Sequence, residues 1–216
     1  MTMKKTILLL ALGSFLLTGC PKHEIIPAPV PHVELTSKFV GTVNGTAVEL
    51  TQNVNGYYLD ALKTKVILSS PTPSYAIYSA EMKSAQSLVS VKVNLGSVYF
   101  DAGVSQDPAL EVWNSFINAN VTPNDPTYTA GGMDGFEVVY RDGTGAVWTS
   151  DATSTDVKFT NIVQESDATG DYSKFLCTFN CTVSRVVPDT TTPDPNDTIT
   201  LTMPITDAQF TAYFKR

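Results

Sequence analysis

Three cysteines and two histidines are the side chains of this 216-residue chain best suited to covalent or metal chemistry at neutral pH. Both histidines, His23 and His32, fall in a proline-rich stretch, so the chain beyond it holds no imidazole. A Ser or Cys nucleophile ordinarily needs such a base within hydrogen-bond reach. Gly-x-Ser-x-Gly, Ser-x-x-Lys, P-loop and dinucleotide-binding patterns are likewise missing from the sequence. A glycosidase-type carboxylate pair needs only two acids that meet in space. The 21 Asp and Glu residues are scattered, however, and no spacing singles out a pair. The expectation is therefore a non-enzyme with no catalytic residue and no cofactor.

Cys177 and Cys181 lie four positions apart in a run that alternates like a strand. At about 3.3 Å per residue that places them about 13 Å apart, beyond the roughly 7 Å Cα separation a disulfide tolerates. They read as two small buried hydrophobes, and Cys-x₃-Cys without a His or third Cys does not complete a metal site. Asp189, Asp194, Asn196 and Asp197 crowd a Pro/Thr-rich loop with hard oxygen donors of the kind calcium takes. Their spacing is not that of an EF-hand, so a solvated loop is favoured and no metal is expected. Tyr57, Tyr58, Tyr78, Tyr99, Tyr128, Trp148 and Tyr213 could form a platform for sugar, although each also reads as an ordinary sheet residue.

The elements that must position these residues are mostly short strands. Phe39, Gly41 and Val43 alternate with Lys38 and Thr42, and Asn44-Gly45 supplies a two-residue hairpin turn. Thr46 to Gln52 returns, with Asn55-Gly56 as a second turn. Leu62, Val66 and Leu68 alternate with Lys63 and Lys65, and Pro71 and Pro73 close that strand. Tyr75 to Met82 follows, then Leu88 to Leu95, with Val89, Val91 and Val93 opposite Ser90, Lys92 and Asn94. A single helix interrupts: Asp107 is placed to cap it, Pro108 suits its first turn, and Leu110, Trp113 and Ile117 share a face at helical spacing.

Strands resume at Gly135 to Arg141, turn at Asp142-Gly143-Thr144-Gly145, and continue through Ala146 to Ser150 and Val157 to Gln164. The clearest runs from Tyr172 to Val187, with Phe175, Cys177, Phe179, Cys181 and Val183 on one side. Thr198 to Ile205 turns Ile199, Leu201 and Met203 inward, and Phe210, Ala212 and Phe214 suggest a last strand. Roughly ten strands with one apolar and one polar face imply antiparallel sheets. Packing two such faces together predicts an all-β, sandwich-like domain with one short helix; alternation alone leaves a barrel open.

The first part of the chain reads differently. Lys4 and Lys5 precede an apolar run, Ile7 to Leu17, that is too short for the roughly 20 residues of a membrane span. It has the layout of a signal peptide. Its end, Leu17-Thr18-Gly19-Cys20, resembles the lipobox of bacterial lipoproteins. That resemblance implies cleavage after Gly19, diacylation of the Cys20 thiol, and attachment to the membrane through that lipid. Residues 1–19 are thus expected to be a signal peptide. Residues 20–35, with Pro21, Pro27, Pro29 and Pro31, form an extended tether, and residues 36–216 form the folded domain. Loss of residues 1–19 removes two lysines and no acid, leaving 12 cations against 21 acids, a formal charge of −9. Without basic clusters, nucleic acid is a poor partner.

The lipobox, the tether, Val43-Asn44-Gly45, the Gly135-to-Trp148 hairpin, and Gly170-Asp171-Tyr172-Ser173-Lys174-Phe175 leading into Phe179-Asn180-Cys181 together resemble small β-rich lipoproteins of the Bacteroidetes type. The resemblance implies a lipid-anchored protein of the cell envelope, at the outer membrane, and carries over no catalytic residue. It also implies that Thr190 in Asp189-Thr190-Thr191 and Thr198 in Asp197-Thr198-Ile199 are candidate O-glycosylation positions. The expected role is a non-catalytic envelope lipoprotein engaging another envelope protein or a glycan. The alternatives are a glycan-binding surface lipoprotein and a fimbrial or adhesion subunit built by strand donation. Against the fimbrial alternative, no Arg or Lys lies between Lys22 and Lys38 to mark a trypsin-like maturation cut.

Overall fold

The computed structural model describes Val30 and residues 32–129, 131–191 and 196–216. The expected signal peptide, the Cys20 lipidation site and His23 lie outside the described residues. His32–Arg216 form one compact unit.

Among its described residues this unit has ten strands and one helix: β1 (Lys38–Val43), β2 (Thr46–Thr51), β3 (Tyr57–Val66), β4 (Ser74–Ser84), β5 (Ser90–Phe100), α1 (Leu110–Ala119), β6 (Glu137–Arg141), β7 (Val147–Ser150), β8 (Asp156–Asp167), β9 (Gly170–Pro188) and β10 (Thr198–Lys215). They pair as a single antiparallel sheet in the order β2-β1-β10-β9-β7-β6-β5-β4-β3. The domain is all-β and sandwich-like, as the alternation predicts. The sheet forks at β9: one edge follows β10 throughout, while the other holds β8 from Gly170 to Asn180 and β7 at Val183 and Ser184. Curling brings the apolar faces of the two arms together. Phe136 from β6's side lies edge-on to Phe159 of β8 and to Phe179 of β9, at 5.7 and 5.8 Å between ring centroids.

The core is the inward set of each strand. Phe175, Cys177, Phe179, Cys181 and Val183 of β9 are all buried, as are Phe210, Ala212 and Phe214 of β10. Phe39 of β1 packs against Phe179 and Phe210. Trp113 and Ile117 fasten α1 to this layer, with the Trp113 ring 5.8 Å from that of Tyr78.

Several sequence expectations need correction. The runs at 198–205 and 210–214 belong to one strand, β10. Its inward residues switch from odd positions (Met203, Ile205) to even ones (Ala208, Phe210) across a bulge in which Asp207 has φ 53° and donates its N–H to Asn180 Oδ1 at 2.7 Å. An extra residue shifts the side-chain phase by one, so a continuous strand reads as two. β3 begins earlier than Leu62, and its buried side chains are Tyr57 and Leu59, while Leu62 and Leu68 are exposed. The cap of α1 is Ala109, without a side-chain hydrogen bond. Asp107 turns instead to Lys63 and Lys65 of β3, at 2.8 and 3.2 Å. Finally, the compact unit begins at His32 rather than Thr36. Val33 is buried, its N–H donates to Asp167 Oδ2 at 2.9 Å, and His32 Nδ1 lies 3.4 Å from the same oxygen. One histidine therefore does belong to the folded part.

Candidate functional site

A concave polar-and-aromatic region lies where α1 ends against the second half of β5. β5 turns both of its faces into protein here. Val91, Val93 and Leu95 enter the core, while Ser90 and Asn94 on the outer face are also covered. At Gly96, with φ 114°, the strand carries one residue more than β4, so Ser79 pairs with Asn94 while Ile77 pairs with Ser97. A Cβ on Gly96 would sit 3.2 Å from the Gly135 nitrogen, and one on Gly135 only 2.4 Å from the Thr127 carbonyl oxygen. Glycine at position 96 thus lets the Gly135 backbone lie close to β5, and glycine at position 135 lets it lie close to Thr127.

The segment carrying Gly135 is fastened from beneath. Glu137, 6% exposed, accepts a hydrogen bond from Asn94 Nδ2 at 2.6 Å and one from the Gly131 N–H at 3.0 Å. Gly132 lies directly over this pair, and a Cβ there would meet both Asn94 Nδ2 and Glu137 Oε2 at 2.8 Å. A carboxylate this deeply buried is tolerated because neutral donors meet it. Its place in the fold is that of a clasp holding Gly131–Gly135 against the sheet.

Between this clasped segment, α1 and β5 lies a cleft of about 200 Å³. Tyr99 offers a half-exposed ring, 6.0 Å from that of Tyr75, and Phe116 lines the α1 side. Asn120 donates through Nδ2 to the Phe116 carbonyl at 2.9 Å, which leaves its Oδ1 as an acceptor. The Ser97 hydroxyl has no hydrogen-bond partner, and Asp134 supplies a carboxylate. Among the described lining residues none is cationic. Such a set can hold a small polar ligand with an apolar face.

The candidates named from sequence are placed elsewhere, with one exception. Tyr57, Tyr78 and Tyr128 are buried, and the Tyr128 hydroxyl lies 3.2 Å from the carbonyls of Asp156 and Asn180. Trp148 is held on both sides, its indole N–H donating to Asp142 at 2.9 Å and its ring lying under Arg185 at 4.8 Å. Tyr213 packs edge-on against Tyr172. Tyr58 is exposed but lies opposite Lys83 at one end of β4, whereas Tyr99 lies opposite Tyr75 at the other. The seven aromatics do not gather into one platform; Tyr99 alone joins the cleft.

Cys177 and Cys181 are free thiols, both buried. Burial pushes the Cys177 thiol well up and that of Cys181 up to about 12, which keeps both protonated and unreactive. Asp189 spends its Oδ1 on the Thr191 N–H and hydroxyl, at 2.8 and 2.7 Å. Asp194 lies outside the described residues, while Asn196 and Asp197 are exposed. No group of three His, Cys, Asp or Glu side chains close enough to hold a metal occurs among the described residues. Thr190 and Thr198 are both exposed.

Glu137 and the Gly131-Gly132 pair were not singled out by sequence reasoning. The available signal is an acid at a strand start just after clustered glycines, which also fits an ordinary exposed turn. No family model, curated protein or solved structure matches this chain.

Proposed function

We propose that the chain is a non-catalytic lipoprotein of the cell envelope, held at the outer membrane through lipid on Cys20, whose β domain serves as a binding module. The observation that carries this reading is the order of its first segment: two lysines, an apolar run too short to span a bilayer, and Leu17-Thr18-Gly19-Cys20, with the compact unit starting at His32. Two acyl chains on one cysteine are enough for stable attachment, so no further membrane segment is required. Among the described residues no helix is long and apolar enough to cross a membrane. The binding role draws on the cleft beside Tyr99.

Membrane fractionation with intact-mass measurement tests the anchor. The expected product begins at Cys20 and carries a diacylglycerol mass, and Cys20→Ala leaves the protein unprocessed or soluble. A wild-type protein with an intact, unlipidated N-terminus sinks the reading.

A protein partner is a second reading, favoured by one surface. Thr149 pairs with Ser184, so Val147 and Val186 follow on the same outer face, and both are exposed. Arg141 pairs with both Ser90 and Val147, and the exposed Leu88 precedes Ser90 by two residues. Leu88, Val147 and Val186 thus give this sheet face exposed apolar side chains with Arg141 among them, a surface of the kind protein contacts use.

A further inference from the structure

We infer that the cleft between α1, the second half of β5 and the Gly131–Gly135 segment is a binding site for a single neutral sugar ring; this rests on reading the domain as a binding module. Size argues first. At about 200 Å³ the cleft is smaller than the roughly 300–1,000 Å³ of drug-sized sites, so it suits one ring with the remainder of the ligand in solvent.

The chemistry of the walls narrows the class. A pyranose has an apolar face of C–H groups and a rim of hydroxyls. Tyr99 and Phe116 present aromatic surface to the former. For the latter there are two unspent acceptors, Asn120 Oδ1 and the Asp134 carboxylate. Anionic ligands are disfavoured because no cation lines the described cleft and the whole chain is acidic. Wholly apolar ligands would leave the polar groups unmet. An ammonium ligand could use the rings and Asp134 by cation–π and charge attraction, but it would bring no rim of hydroxyls to donate to Asn120 Oδ1.

The floor favours ready-made binding. Gly96 and Gly135 meet backbone to backbone, and Glu137 with Asn94 pins the segment that carries Met133 and Asp134. A site with such a floor loses little freedom on binding.

The test uses the full-length protein purified from membranes in a detergent without a sugar headgroup. Saturation-transfer NMR is run with a panel of methyl glycosides of hexoses and N-acetylhexosamines, and separately with choline chloride. At least one glycoside should bind saturably, with the strongest transfer on protons of one ring face, and affinity should not change with salt. Tyr99→Ala should weaken it about tenfold, the size of one aromatic contact. Tyr99→Phe should retain binding, Asn120→Ala should weaken it less than Tyr99→Ala, and Tyr58→Ala should leave it unchanged. Equal losses in Tyr99→Ala and Tyr58→Ala overturn the assignment. So does binding of choline but no glycoside, or no binding at all. Failure of the site leaves a lipidated, membrane-bound protein that ignores glycosides, whereas failure of the anchor reading leaves the protein in the soluble fraction, where the same panel is run; fractionation tells the two apart.

Discussion

The turns in the first half of the sheet and those in the second half reverse the chain by different physics. Between β1 and β3 the work is done by backbone conformation: Asn44 and Gly45, then Asn53, Asn55 and Gly56, all have φ between 47° and 78°. Asn and Gly accept that left-handed region at little cost. From β6 onward each connection carries an Asp followed two residues later by a Thr. Asp142, Asp151, Asp167 and Asp189 each use Oδ1 to accept both the N–H and the hydroxyl of Thr144, Thr153, Thr169 and Thr191. Such a side chain mimics a backbone turn. Gly145 and Gly170 add positive φ in two of these connections, but there the carboxylate is the organising group. The lesson is that one sheet contains charge-free turns and charge-dependent ones, so its two halves answer differently to acid.

All four carboxyls are held below the usual carboxylate range, in each case chiefly by the hydrogen bond from the Thr hydroxyl, and Asp142 goes down to about 2. A depressed folded value contributes stability that is present above the unfolded value, about 3.9, and is lost as pH falls through the folded one. The largest expected effect is therefore a drop in the urea midpoint as pH goes from about 4 toward about 2, greater than that of any single substitution below. Hydrogen exchange should show the connections after β6 opening before Asn44-Gly45 and Asn55-Gly56. Uniform opening of all turns would break the comparison.

Next in size is Asp142→Ala. Besides the two donors of Thr144, this carboxylate accepts the Ala146 N–H at 3.0 Å and the Trp148 indole N–H at 2.9 Å. Its loss should cost about 2 kcal/mol at neutral pH, with the difference from wild type vanishing below about pH 2; chemical denaturation at both pH values measures it. Gly45→Val should cost about 1–2 kcal/mol, because a branched residue enters φ 78°. A Cβ at Gly45 meets nothing within 4 Å, so this cost is conformational and should be the same at neutral and acid pH. A pH-dependent cost there would count against the distinction. The smallest effect is expected for Asp189→Asn at the far end of the β9–β10 hairpin, a change in thermal midpoint too small to separate from wild type. A thermal shift comparable to that of Asp142→Ala would mean that the far loop contributes more than its exposure suggests.

Much of this fold was legible in the sequence because one face of nearly every strand is apolar. The alternation on β9 and the helical spacing of Trp113 and Ile117 translate directly into burial. What escaped had a physical reason in each case. Asp207 and Gly96 insert single residues that flip the inward set, so period-two reasoning loses phase there. Asp107 had two stabilising uses, a helix cap and a pair of lysines, and only the folded neighbourhood of β3 decides between them. Leu62 was misjudged because Ala61 and Leu59 give β3 a weak apolar contrast. The cleft was hardest to foresee: Ser97, Phe116 of α1 with the helix's cap residue Asn120, and Asp134 come from three segments that only the folded chain brings together, with Gly96 and Gly135 in close approach. Glu137 carries no sequence signal of burial, because its burial depends on a segment folding over it.

The docking of His32 and Val33 on Asp167 has a mechanical side. Tension drawn along the chain from its N-terminal end meets the Val33–Asp167 hydrogen bond before it reaches any strand. The next element, β1, is bonded along both edges, to β2 and to β10, so a pull along its axis must shear two ladders together instead of peeling one from an open edge. The domain is thus built like a buckle ahead of a stitched seam. In a single-molecule pulling trace this appears as a small first rupture, abolished by Asp167→Ala, followed by a larger one that the same substitution leaves in place.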